Sequence, residues 1–95
     1  MQAVLNSNTN TIETLDYLLA DVDASNKNDV ENSIVAMGSK VVKALVERLK
    51  NLKGLQRGIV AMSLIRIGES SIEPLKELAQ DKECQWIADY LLSEI

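Results

Sequence analysis

The sequence predicts an all-α domain built as an α-α superhelix: three stacked helix pairs, about six helices in all. Three observations carry that expectation. Apolar residues recur at helical rather than strand spacing, and the same apolar register returns every 30 residues. Glycine, serine and proline also fall at the seams between successive blocks.

The first helix is expected over 10–21, where Ile12, Leu15 and Leu19 line one face and Asn10 with Glu13 has capping-box spacing. Val30, Ile34 and Met37 define a second over 27–37, closed by Gly38. The register restarts with Val42, Leu45 and Leu49 in a helix over 39–51, with Ser39 as its expected cap. Lys40, Lys43, Glu47 and Lys50 form its polar side, so it belongs on the outside. In 55–67, Ile59, Val60, Ala61, Met62, Leu64, Ile65 and Ile67 nearly encircle the axis, so neighbours must cover it on most sides. After Gly68, Ile72, Leu75 and Ala79 place a helix over 70–80, with Ser70 and Glu73 as a second capping box and Pro74 in the first turn. Ala88 and Leu91 then stand where Ala61 and Leu64 stood, about three residues early, in a last helix over 83–94. Connections of two to six residues make each pair antiparallel. The expected organisation is a flexible segment over 1–9 and one domain over 10–95, with repeats of about 10–38, 39–68 and 69–95.

Composition narrows the function. A chain of 95 residues is one domain and buries only about 60–70% of the surface its unfolded form exposes. No apolar run approaches the ~20 residues a membrane span needs, and the polar stretch Met1 to Asn10 does not read as a signal peptide. Cys84 is the single cysteine and cannot form an internal disulfide, which favours a cytoplasmic setting. With no histidine, the commonest general base and metal ligand are missing, and the four glycines lie too far apart to cradle a phosphate. The expectation is a protein that is no enzyme, with no catalytic residue, no metal and no cofactor.

Charge is unevenly placed. Residues 1–35 hold six acids and one base, 36–68 seven bases and one acid, and 69–95 seven acids and two bases. The basic middle could recognise an acidic partner or an anion, tie the repeats together, pair two molecules offset, or merely be solvated. An acidic chain with three aromatics is not expected to bind nucleic acid.

The stretch Leu64-Ile65-Arg66-Ile67-Gly68-Glu69-Ser70-Ser71-Ile72-Glu73-Pro74-Leu75 and the closing Trp86-Ile87-Ala88-Asp89-Tyr90-Leu91-Leu92-Ser93-Glu94-Ile95 resemble HEAT repeats of the short, phycobilisome-lyase-like type. The family's run A-x-x-L-x-x-I-G-x-x-x-x-x-P-L is met from Ala61 to Leu75. The similarity covers about 10–95 and is strongest from 58 onward; in the first repeat Asn8 replaces the glycine and Glu31 the small Ala61. The resemblance implies a right-handed stack whose second helices line a concave, partner-binding face. Some relatives attach or remove bilin pigments, while most are scaffolds.

On that face the equivalent positions are Asp29, Ser33 and Ala36, then Ile59, Ser63 and Arg66, then Trp86, Tyr90 and Ser93. The candidate partner-binding residues are Ile59, Ser63, Arg66, Trp86, Tyr90 and Ser93. Trp86 and Tyr90 lie four apart, hence on one helix face, and Trp, Tyr and Arg dominate binding hot spots. The opposing reading has Trp86 folded back over the terminal core. Cys84 is expected to be an inert, partly buried thiol, since Asp81 and Glu83 oppose its ionisation. The last helix also leaves few polar positions for water, which would suit a homodimer through that helix, a partner completing the stack, or a longer array. The leading expectation is an interaction module or scaffold for a protein or peptide. The alternatives are an accessory subunit related to pigment-attaching lyases and a purely structural homo-oligomer.

Overall fold

The computed structural model describes residues 7–95, with side chains from residue 11 onward. Every regular element among them is helical: α1 (Ser7–Ala20), α2 (Lys27–Met37), α3 (Val42–Leu49), α4 (Gly54–Ile67), α5 (Ile72–Leu78) and α6 (Gln85–Glu94). Short 3-10 turns, Gly38–Val41 and Glu69–Ser71, lead into α3 and α5. None of these helices is long and apolar enough to cross a membrane.

The repeat register reappears as burial. Leu15, Leu45 and Leu75 are completely buried, as are Ile34 and its counterpart Leu64, and Leu91 fills the same role in α6. Consecutive helices pack as pairs, and each pair leans on the next: α2 and α6 both pack on α4, and α3 packs on α5. The outward row Lys40, Lys43, Glu47 and Lys50 is exposed, as its polarity requires.

The helix starts differ from expectation. α1 begins at Ser7, so Asn10 lies within the helix instead of capping it; residues 1–6 of the expected flexible segment lie outside the described residues. Ser39 and Ser70 sit in the 3-10 turns, and neither α3 nor α5 has a side-chain cap. The reason is visible at the glycines. Gly38 (φ 70°, ψ −151°) and Gly68 (φ 87°, ψ −125°) swing the chain sharply at the ends of α2 and α4. The next residues then close a tighter i→i+3 turn, in which the Ser71 amide donates to the Gly68 carbonyl at 2.8 Å. Ser71 Oγ instead turns back to donate to the Leu64 carbonyl at 2.9 Å, which also accepts the Gly68 amide at 3.0 Å, and so pins the turn to the end of α4.

The basic middle of the chain is partly spent on ties to the first pair. Arg48 donates from Nε to Asp16 Oδ1 at 2.8 Å, joining α3 to α1, and from Nη1 to the Ala44 carbonyl at 3.1 Å. Gln56 Nε2 donates to the Leu19 carbonyl at 2.7 Å, tying the start of α4 to the end of α1. Of the readings left open for the charge pattern, cohesion between pairs is the one these contacts embody.

Candidate functional site

The second helices of the three pairs are α2, α4 and α6. Beyond its first residue, Gly54, the exposed positions on α4 are Leu55, Gly58, Met62 and Arg66, spaced three, four and four apart and so on one face. Ile59 and Ser63, expected on this surface, are buried. This corrects the expected stripe: α4 is rotated so that both turn into its packed side along with Val60 and Leu64. Ser63 Oγ is left there without a hydrogen-bond partner.

Arg66 is exposed but committed. Its Nη1 donates to Glu31 Oε2 at 2.9 Å and to Asn32 Oδ1 at 2.8 Å, both on α2. It therefore braces α2 against α4.

On α6 both aromatics are exposed. Trp86 is 60% and Tyr90 58% exposed, so Trp86 does not fold over the terminal core. Ile87, Ala88 and Leu91 are buried, while Gln85, Asp89, Ser93 and Glu94 face water. The apolar surface left exposed on α6 is mainly this aromatic pair, with Ile95 beside it in sequence. Ser93 is exposed, but its hydroxyl donates to the Tyr90 carbonyl at 2.7 Å and so serves its own helix.

The charged neighbour of Trp86 is Arg57, whose guanidinium carbon lies 5.4 Å from the ring centroid, within cation–π range. Sequence reasoning passed over it. A signal existed: successive second helices run side by side, Ile59 is the counterpart of Trp86, and Arg57 lies within one turn of Ile59. Beneath this pair is a hollow of about 140 Å³, lined among others by Lys50, Lys53, Arg57, Glu83, Cys84 and Trp86. A larger groove, about 440 Å³, runs between α3 and α5 on the first-helix side. Lys43 and Lys50 stand on one wall and Glu73, Glu77 and Asp81 on the other.

Cys84 is buried at the start of α6. Burial raises its thiol pKa, Asp81 and Glu83 add to the shift, and Lys50 opposes it. The expected inert thiol agrees with this environment. At the opposite extreme, Asp23 in the turn before α2 is held below the usual carboxylate range by hydrogen bonds from the Ser25 hydroxyl and from the Ser25 and Asn26 amides.

The chain matches no family model, no curated protein and no solved structure in the comparisons made.

The site therefore consists of Trp86 and Tyr90 on α6, with Arg57 of the adjoining α4 over the indole. Such an arrangement can bury apolar surface and hold a charge. It presents no nucleophile paired with a base.

Proposed function

We propose that this chain is a non-catalytic protein-interaction module, a HEAT-like solenoid of three helix pairs whose second helices form the partner-binding surface. The order of packing, α2 to α4 to α6 with α3 against α5, supports the stacked reading, as does the 30-residue recurrence of buried leucines.

One observation carries the binding role: Trp86 and Tyr90 stand side by side on α6, more than half exposed, next to the helix that exposes Met62. In a chain of this size every buried apolar side chain counts, yet all three aromatics are held outside the core, two of them together on α6. Covering such rings releases at most about 2–3 kcal/mol each, an energy the isolated chain leaves unused. Aromatic rings with an arginine neighbour are the side chains that most often anchor interfaces. The absence of histidine and the thiol pKa of Cys84, raised by burial, support a non-catalytic role.

The test is affinity capture from native extract with wild-type protein and with a Trp86→Ala/Tyr90→Ala variant, quantified by mass spectrometry. The wild type is expected to retain a partner that the variant loses while its helical circular dichroism persists. Equal retention by both proteins would place binding elsewhere.

A further inference from the structure

We infer, resting on that reading, that the partner is an acidic peptide segment: it seats an apolar side chain on Trp86 and Tyr90 and lays carboxylates on Lys53 and Arg57.

From residue 48 to residue 68 the chain contains Arg48, Lys50, Lys53, Arg57 and Arg66 and no acid at all, in a protein of net charge −4. Three of these bases have carboxylate partners: Arg48 with Asp16, Lys50 with Glu47 and Arg66 with Glu31. Lys53 and Arg57 have none among the described residues. Both line the same hollow as Trp86, where Lys50 adds a third cation and Glu83 is the one acid.

Arg57 is placed for this role. The guanidinium carbon is held 5.4 Å from the indole centroid, and no carboxylate among the described residues occupies its N–H groups. A carboxylate is the ligand that suits such groups, through two parallel hydrogen bonds. Beyond this corner, the first and last thirds of the chain are acidic and repel an anionic ligand. Two cations without carboxylate partners thus stand where an aromatic ring is exposed. That combination selects against nucleic acid, which needs a track of cations along its backbone. Free phosphate, in turn, would leave Trp86 and Tyr90 without a role.

Trp86 is the only tryptophan, so its emission reports on the site directly. The probes are three labelled synthetic peptides titrated against the full chain: repeated Asp-Glu-Leu, its uncharged counterpart Asn-Gln-Leu, and repeated Lys-Arg-Leu. The acidic peptide is expected to shift Trp86 emission saturably, with an affinity that falls as salt is raised. A Lys53→Glu/Arg57→Glu variant should bind it roughly tenfold more weakly and gain the basic peptide. Lys53→Gln/Arg57→Gln, a milder change, should lose affinity in the same direction with an unaltered circular-dichroism spectrum.

Several results overturn the inference. These are equal binding of the uncharged peptide, no response to any of the three, and a larger Trp86 shift with a single-stranded oligonucleotide. A dilution-dependent shift without peptide, abolished by the charge reversal, would make the occupant a second copy of this chain and also reject it. Affinity capture separates the two levels. Partners lost by Trp86→Ala/Tyr90→Ala but kept by the charge-reversed variant sink the acidic-peptide inference alone; partners kept by both sink the binding face as well.

Discussion

Arg66 on α4 reaches across to α2, donating from Nη1 to Glu31 Oε2 at 2.9 Å and to Asn32 Oδ1 at 2.8 Å. Both partners belong to the preceding helix pair, so the contact holds repeat to repeat. The guanidinium is exposed and the Glu31 carboxylate only partly so, which limits the strength of the tie. A double-mutant cycle with Arg66→Ala and Glu31→Ala should give a coupling of about 0.5–1 kcal/mol in urea denaturation. Arg66→Ala should leave capture of a partner through Trp86 intact. A coupling near zero, or loss of capture, would return Arg66 to the binding surface.

Ser63 carries a different cost. Its hydroxyl is buried in α4 with no hydrogen-bond partner. Leaving a polar group unpaired in the core costs about 1–3 kcal/mol, and serine is a poorer helix former than alanine. Ser63→Ala is therefore expected to raise stability by about 1 kcal/mol, part of the gain being offset by the small void the oxygen leaves. A raised urea midpoint at unchanged slope would bear this out. A lowered midpoint would mean that the hydroxyl is satisfied in solution.

The contrast between Leu45 and Ser63 explains what was legible beforehand. Leu15, Leu45 and Leu75 repeat at one spacing and are all buried, because a helix with one apolar stripe has one way to face the core. On α6 the sequence left Trp86 open between surface and core, and Gln85 and Asp89 beside it face water. Helix α4 has no single stripe. With Ile59, Val60, Met62, Leu64 and Ile65 spread around its axis, hydrophobicity does not say which edge faces out, and Ile59 and Ser63 were assigned to the wrong one. The same blindness hid Arg57, whose role depends on which residue of the next second helix lies level with it. The 3-10 turns escaped notice because Ser39 and Ser70 look like caps, whereas the positive φ of the preceding glycines redirects the backbone before a cap can form.

Those glycines invite a paired experiment. Gly38 has φ 70° and Gly68 has φ 87°, conformations that L side chains rarely adopt. An added methyl group would meet nothing within 4 Å at Gly38, so any penalty there comes from the backbone alone. Gly38→Ala and Gly68→Ala should each cost about 1–3 kcal/mol. Gly58, within α4 and equally free of neighbours, should respond the other way, with Gly58→Ala gaining about 0.5–1 kcal/mol. Thermal melts of the three variants test the sign at each site. Destabilisation by Gly58→Ala would imply a close approach at that face.

Cys84 gives the chain a dependence on alkaline pH. Burial first, and then Asp81 and Glu83, raise the thiol pKa in the folded chain, with Lys50 opposing them. The folded state thus holds the thiol proton more tightly than the unfolded state, whose thiol titrates near ~8.5. The associated stabilisation is fully present below that range and is lost as pH rises through the folded value. In native protein at pH ~8, Cys84 should react with Ellman's reagent far more slowly than in denaturant, because the thiolate is the nucleophile. Between pH ~8 and ~10 the wild type should lose more stability than Cys84→Ala, which lacks the titrating group. Parallel pH profiles for the two proteins, together with fast native labelling, would show that the thiol is open to solvent and that its surroundings do not suppress ionisation.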